Sequence, residues 1–251
     1  MPKKTTRSTA NPKDELSDLA YDFNHMVERL RSNEYLNQEF IKNVSHEFKT
    51  PLSIILGYSE LLGSDELSAE ERKEYTSYIH NEANRLNSLS EKLLAISRLD
   101  SNNYSDIKQN FAADEQIRNI ILSLQFAWSK NDLNFEADLP KVTIRSNPDL
   151  CYLIWQNLLS NAVKYTPKGG KISVGLSMER DWIIFSVTNT GDSLAGKEEL
   201  IFQSFYTSDR SDAEKGTGLG LPLVKKIVQK LGGEILLSFT QSTQFIIKLP
   251  K

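Results

Sequence analysis

His46 is followed at once by Glu47 and, four residues on, by Thr50, within the run Phe40-Ile41-Lys42-Asn43-Val44-Ser45-His46-Glu47-Phe48-Lys49-Thr50-Pro51-Leu52. At about 100° per residue, Phe40, Val44, Phe48, Leu52 and Ile55 share one side of a helix and His46 falls on the other. Thr50 lies about 40° round from His46, on the same outward side. An imidazole in water beside a carboxylate can act as a nucleophile. The acid accepts the ring N–H, which fixes the tautomer and leaves the other nitrogen free to attack. A solvated histidine on any amphipathic helix shows the same local pattern, so the chemistry assigned to His46 depends on what else the chain carries.

A second set of residues lies far along the chain. In Gln156-Asn157-Leu158-Leu159-Ser160-Asn161-Ala162-Val163-Lys164-Tyr165, the residues Asn157, Asn161 and Lys164 sit at i, i+4 and i+7, within about 60° on a helix. Amide oxygens can ligate a hard cation and an ammonium can neutralise phosphate. Gly216-Thr217-Gly218-Leu219-Gly220-Leu221 then opens an apolar helical stretch. Glycines admit phosphate close to backbone N–H groups, and a helix start favours anions. No Lys-Ser/Thr follows these glycines, so they are not a P-loop, and no strand leads straight into them as a dinucleotide fold requires. Between the two sets stand Asn189-Thr190-Gly191, after a strand, and Phe202-Gln203-Ser204-Phe205-Tyr206. Taken singly these segments read as a solvated helix face, a glycine loop, a turn and a buried aromatic pair. Their joint order carries the argument.

The elements that must position these residues divide the chain. Its 251 residues, with 25% charged and 39% hydrophobic, suit one large domain or two small ones. A net charge of −3 gives no reason to expect nucleic acid. The single cysteine, Cys151, rules out an intrachain disulfide and reads as a core residue. Residues 1–12 are basic and polar, read as disordered or extraneous, and do not resemble a signal peptide. No apolar run approaches membrane-spanning length. Leu16, Leu19, Phe23, Met26 and Leu30 form a coiled-coil seam that continues through Asn33 and Asn37 to Phe40 and Val44. The register breaks around His46, and Pro51 is expected to kink the helix. Gly63–Ser68 reads as a turn, and a second helix over Ala69–Leu99 carries Ile79, Leu86, Leu89, Leu93 and Ile96 at heptad spacing. Two such helices make a hairpin, and two hairpins bury their stripes as a dimeric four-helix bundle. His25 and His80 read as surface residues. Ser101–Asn110 is a linker. Beyond it are expected helices over Asp114–Lys130, Pro148–Tyr165 and Leu221–Leu231, and strands over Asn134–Leu139, Val142–Arg145, Lys171–Ser177, Trp182–Thr188, Glu234–Phe239 and Gln244–Leu249. The fold class expected is thus multidomain: an all-α helical hairpin followed by an α+β sandwich.

In their order these segments closely resemble those of bacterial two-component sensor histidine kinases. The His46 run resembles the H box, Asn157–Tyr165 the N box, Phe202–Tyr206 the F box and Gly216–Leu221 the second glycine box. Asp14-Glu15-Leu16 through Met26 also resembles the end of a HAMP signalling module. The resemblance implies a partial HAMP helix at 13–33, a dimerisation and phosphoacceptor domain at 34–100, a linker at 101–110 and a gyrase-type ATP-binding domain at 111–251. It implies a homodimer that phosphorylates His46 from ATP and passes the group to an aspartate of a response regulator receiver domain. Glu47 matches the general base, Thr50 the residue that supports regulator dephosphorylation, and Asn157 the Mg2+ ligand. Asn161, Lys164, Tyr165, Gly216, Thr217, Gly218, Leu219 and Gly220 match positions around the nucleotide. The family's first glycine box usually has an aspartate for the adenine amino group and then two glycines. Here Asn189, Gly191 and Ser193 stand in those places, with Asp192 nearby. The lid would span Thr207–Lys215. The chain is thus expected to be the cytoplasmic portion of a longer membrane receptor, attached through segments missing here. An alternative of another class is a dimeric signalling scaffold that binds nucleotide without kinase activity.

Overall fold

A computed structural model of the chain describes residues 38–64, 66–100, 108–191, 194, 196–206, 217–239 and 242–251. The expected disordered start, the coiled-coil seam up to Asn37 with His25, most of the linker, the lid, Asp192, Ser193 and Gly216 lie outside the described residues. The chain forms two compact units, one ending at Ser53 and the other beginning at Ile54.

Helix α1 covers residues 38–62 and runs on through Pro51 without a break in its helical turns. Phe40, Val44, Phe48 and Ile55 are half-buried as the periodicity predicts. Leu52 is the exception at 46% exposed, while Pro51 is buried. The covered side of α1 is therefore centred nearer Pro51 than the stripe implies. The proline ring, having no N–H to solvate, is a serviceable apolar surface there.

At its far end α1 turns through Gly63, whose N–H donates to the Glu60 carbonyl at 3.1 Å. Helix α2, Ala69–Asp100, starts with a capping box. Glu71 N–H donates to Ser68 Oγ at 3.2 Å, and Ser68 N–H donates back to Glu71 Oε2 at 2.9 Å. The Ser68 hydroxyl also donates to that carboxylate, which holds it below the usual carboxylate range. Tyr58 meets Tyr75 in a tilted pair and stacks on Tyr78, with ring centroids 5.2 and 4.7 Å away, so aromatics join the two helices near the hairpin's turn. Ile79, Leu86, Leu89, Leu93 and Ile96 lie on the covered side of α2 as expected. Glu82 shares that heptad seam, between Ile79 and Leu86, with Arg85 Nη1 at 3.7 Å. A carboxylate in a seam weakens packing and constrains register; hydrophobic spacing alone passes over it.

The sandwich that follows has one helical layer on one mixed sheet. Strand β1 (Gln109–Ala112) begins inside the stretch read as linker, because it pairs antiparallel with β3 (Thr143–Ser146) in a small separate ribbon. The expected helix over Asp114–Lys130 is two helices, α3 (Ala113–Ser123) and α4 (Gln125–Lys130). The break falls at Leu124, whose N–H is shared between the carbonyls of Ile120 and Ile121. It brings Trp128 round to donate from Nε1 to the Ile121 carbonyl at 3.2 Å and to pack on Phe135. Helix α5, Pro148–Tyr165, starts as its sequence demands. Asn147 Oδ1 accepts from the N–H groups of Asp149 and Leu150 at 3.1 and 3.0 Å, and Pro148 fills the first helical position. It ends before Pro167, which disfavours helical backbone at Thr166.

The main sheet has the order β2-β4-β5-β7-β6, from β2 (Asn134–Asp138), β4 (Lys171–Glu179), β5 (Trp182–Asn189), β6 (Glu234–Phe239) and β7 (Thr243–Pro250). β2 and β4 are parallel and every other pair is antiparallel. Alternate residues Ile172, Val174, Leu176, Ile183, Phe185, Val187, Phe245, Ile247 and Leu249 are buried on one face. Above them lie α5, with Ile154, Trp155, Leu158 and Leu159, and α6 (Gly220–Lys230), with Leu223, Val224, Ile227 and Val228. Trp155 meets Phe185 at 4.5 Å between ring centroids. α5 packs on α6 and on α3, and α2 packs on α6. Cys151 is fully buried in this layer, and burial pushes its thiol up to about 11, as suits a core residue.

Candidate functional site

On α1, His46 and Thr50 are exposed and Glu47 is half-buried. The Thr50 hydroxyl donates to the His46 backbone carbonyl at 3.3 Å. That bond is long and uses only the donor of the hydroxyl, so it leaves the oxygen's acceptor capacity unused. The helix thus carries an exposed imidazole, a half-buried carboxylate and an exposed hydroxyl within about one turn.

The second constellation is assembled in three dimensions from α5, the end of β5, the 3₁₀ turn Leu200–Phe202 and the start of α6. Asn157 is 7% exposed. Its Nδ2 donates to the Leu153 carbonyl one turn back at 2.7 Å. The tether orients the amide, and Oδ1 accepts no hydrogen bond among the described residues. Gly220 lies directly against it: a Cβ there would stand 2.8 Å from Asn157 Oδ1. Only glycine allows the first turn of α6 so near that oxygen. Gly218 has φ +63°, and a Cβ on it would meet the Phe205 backbone at 2.6 Å. Phe205 N–H donates to the Gly218 carbonyl at 3.0 Å, and Phe205 is itself in the left-handed region at φ 66°. A bulky residue held there marks a segment whose surroundings impose its conformation. Phe202, Phe205 and Tyr206 are half-buried rather than the buried pair their types suggest, and the backbone of Phe205 and Tyr206 lies against Gly218. Phe202 also carries the ammonium of Lys225 over its ring at 5.2 Å.

The Asn189-Thr190-Gly191 turn meets the other end of α5. A Cβ on Gly191 would lie 2.7 Å from the Tyr165 carbonyl oxygen. Thr190 closes the turn on β4, with its N–H donating to the Lys171 carbonyl and its Oγ1 accepting from Lys171 N–H at 2.8 Å. Asn189 is 6% exposed. Lys164 leans on Tyr165: its Nζ donates to the phenolic oxygen at 3.0 Å and lies 4.5 Å from the ring centroid. Asn161 is half-buried one turn on from Asn157. Leu219 is fully buried and anchors the glycine turn to the core.

These residues fit a nucleotide phosphate chain with its cation. Thr217 is 6% exposed and its Oγ1 is buried with no hydrogen-bond partner among the described residues. Such an atom costs about 1–3 kcal/mol until something satisfies it, and a phosphate oxygen would. A Cβ at Gly218 or Gly220 would collide with the Phe205 backbone or with Asn157 Oδ1, so the glycines let this turn lie close to both. Asn157 Oδ1 is an oxygen donor suited to magnesium, which keeps water and phosphate oxygens as its other ligands. Sequence periodicity places Asn157 on the helix face but gives no sign that Gly220 is its neighbour, nor that the Thr217 hydroxyl is unsatisfied.

Comparison with known proteins adds two family matches. The model described as His Kinase A (phospho-acceptor) domain matches residues 36–102, and that described as histidine kinase-, DNA gyrase B- and HSP90-like ATPase matches residues 146–251. Among curated proteins, the heme sensor protein HssS of Staphylococcus aureus (strain JH9) is 34% identical over 248 residues, covering 98% of this chain and 52% of that protein. The chain spans about half the length of the curated relatives it matches. Among solved structures, the catalytic domain of histidine kinase ThkA is 27% identical with a TM-score of 0.52, covering 58% of this chain and 96% of that one. The structure of histidine kinase ThkA in complex with response regulator protein TrrA shares the fold at 24% identity and a TM-score of 0.67, covering 92% of this chain and 66% of that one.

Proposed function

Because the chain belongs to the sensor histidine kinases, we propose that it phosphorylates its own His46 from ATP and hands the group to an aspartate of a response regulator receiver domain. The observation that carries this is the juxtaposition of Asn157 Oδ1 with the glycine turn at Gly220, in a chain whose other chemical group is an exposed histidine beside an acid. ATP would supply the γ-phosphoryl group, its bond to the ADP oxygen breaking as ADP leaves, and Mg2+ would neutralise charge on the phosphates. The neutral ring nitrogen of His46 attacks, and Glu47 takes up the proton of the other ring nitrogen as positive charge develops. Asn157 would ligate the cation; the Thr217 hydroxyl and the N–H groups at the start of α6 would donate to phosphate oxygens; Asn161, Lys164 and Tyr165 would line the same face. Catalysis of this kind is chiefly positioning and charge neutralisation, which is what amides, N–H groups and one ammonium provide. The scaffold alternative leans on Asn189 in place of an acid. Asn189 still presents an acceptor oxygen, so the base subsite is not disabled.

The domain reading is a partial HAMP helix at 13–33, the phosphoacceptor hairpin at 34–100, a linker at 101–110 and the ATP-binding domain from 111. No helix among the described residues is long and apolar enough to cross a membrane. The kinase is proposed as the cytoplasmic portion of a membrane receptor, and recovery of the intact protein in the soluble fraction would count against that. Ile41 and Leu56 are also exposed on α1, near Leu52 around the helix, as expected of a surface met by a second chain. Incubation with γ-labelled ATP and Mg2+ should give acid-labile, base-stable label on protein whose light-scattering mass is that of two chains. Acid-stable label would reject the phosphohistidine, and monomer alone at micromolar concentration would reject the pairing.

Thr50 separates two activities of one helix face. Thr50→Ala keeps the helix, since alanine is the better helix former, and removes the hydroxyl that would orient water at a phosphoaspartate. It should autophosphorylate within about twofold of wild type and lose at least about 90% of regulator dephosphorylation, the order of a single positioned proton-transfer group. Glu47→Ala should do the opposite damage. Decay of phospho-regulator with ADP and Mg2+ reads both, and wild-type decay with Thr50→Ala would remove that role from Thr50.

A further inference from the structure

We propose that Gly220 is a positioning residue for Asn157: the absence of a side chain at 220 keeps the Asn157 amide oxygen in the place where a cation on the phosphates would meet it. The inference rests on the nucleotide-site reading above. A glycine at the start of a phosphate-binding helix is ordinarily explained by close approach of phosphate to its own backbone. The surroundings of Gly220 point to a different cause. It is the first residue of α6, and unlike Gly218 it is not in the left-handed region, so its backbone would accept an alanine. Outside its own helical turn, the three nearest heavy atoms that a Cβ at 220 would meet all belong to Asn157: Oδ1 at 2.8 Å, Cγ at 3.6 Å and Cβ at 3.9 Å. At Gly218, by contrast, both the φ of +63° and the Phe205 main chain exclude a side chain. The Asn157 amide is not free to yield. It is 7% exposed, and its Nδ2 donates to the Leu153 carbonyl at 2.7 Å. Swinging Oδ1 away from a methyl group at 220 would break that bond. A half-turn of the amide would set Oδ1 against the Leu153 carbonyl oxygen, two acceptors facing each other. A side chain at 220 therefore acts on the oxygen that would hold the cation, and glycine is required there only while residue 157 carries an amide.

The test is a cycle of Gly220→Ala, Asn157→Ala and the double variant. It is read by thermal melting of the free protein and by ATP displacement of a fluorescent analogue, in EDTA and across a Mg2+ titration. Gly220→Ala should bind ATP in EDTA within about twofold of wild type. It should need about ten- to hundredfold more Mg2+ for half of the cation-dependent gain in affinity, the scale of disturbing a group that orients a metal ligand. Asn157→Ala and the double variant should show no such gain and should bind alike. In melting, exchanging glycine for alanine at 220 should be less favourable by at least about 2 °C in the wild-type background than in the Asn157→Ala background. In the latter the better helix former meets no amide. An equal melting shift in both backgrounds overturns the proposal. So does affinity lost in EDTA with the Mg2+ requirement unmoved, which would return the glycine to phosphate approach. If wild type itself gains nothing from Mg2+, the reading of Asn157 as the cation ligand falls, and the proposal with it.

Discussion

His46→Ala should bind ATP as wild type does and form no acid-labile phosphoprotein. The expectation is a complete loss, because the variant has no ring nitrogen to accept the group and no other histidine on α1 to stand in. Alanine favours the helix by up to about 0.7 kcal/mol over histidine, and His46 is exposed, so the substitution opens no cavity. The nucleotide residues lie on α5, β5 and α6, far along the chain, and keep their contacts. Displacement of a fluorescent nucleotide checks binding, and labelled ATP checks transfer. Label persisting at the wild-type level would move the acceptor elsewhere.

Asn157→Ala comes second in size. The variant removes an oxygen beside Gly220 that would hold a cation, and autophosphorylation should fall by about a thousandfold, the scale of losing one preorganised electrostatic partner. It also deletes the bond from Nδ2 to the Leu153 carbonyl, a carbonyl already engaged by the helix, so the cost in stability should stay near 1 kcal/mol. Thermal melting separates the two effects. Nucleotide affinity measured with EDTA should be unchanged, while the gain in affinity on adding Mg2+ should vanish. Wild-type rates in this variant would exclude Asn157 as the cation ligand.

Much of this protein was legible from local pattern. The helix at Pro148–Tyr165 carries its own start signal in Asn147-Pro148 and its own stop in Pro167, so its bounds follow from neighbours in sequence. The same is true of the strand Glu234–Phe239, whose bounds matched the expectation, and of the exposure of His46 and Thr50, which follows from helical phase. Where the reading failed, a distant partner decided. Gln109 and Asn110 are polar and read as linker, yet they form a strand because Ser146 and Arg145 lie opposite them. The helix at Asp114–Lys130 breaks at Leu124 because Trp128 gains a carbonyl and an aromatic neighbour by turning. The seam of α2 admits Glu82 because Arg85 stands within reach.

The sequence by itself marked out side chains whose types and spacing suit a cation and phosphate, since that depends on residue type and on spacing within one helix or one loop. Only the tertiary structure decided that Gly220 lies against Asn157, that Gly218 and Phe205 share a backbone hydrogen bond with both in left-handed conformations, and that Thr217 is left with a buried, unsatisfied hydroxyl. The physical reason is that these contacts join α5, the 3₁₀ turn and α6 through close packing over one sheet face. Such packing depends on the shape of the whole layer, and no local periodicity encodes it.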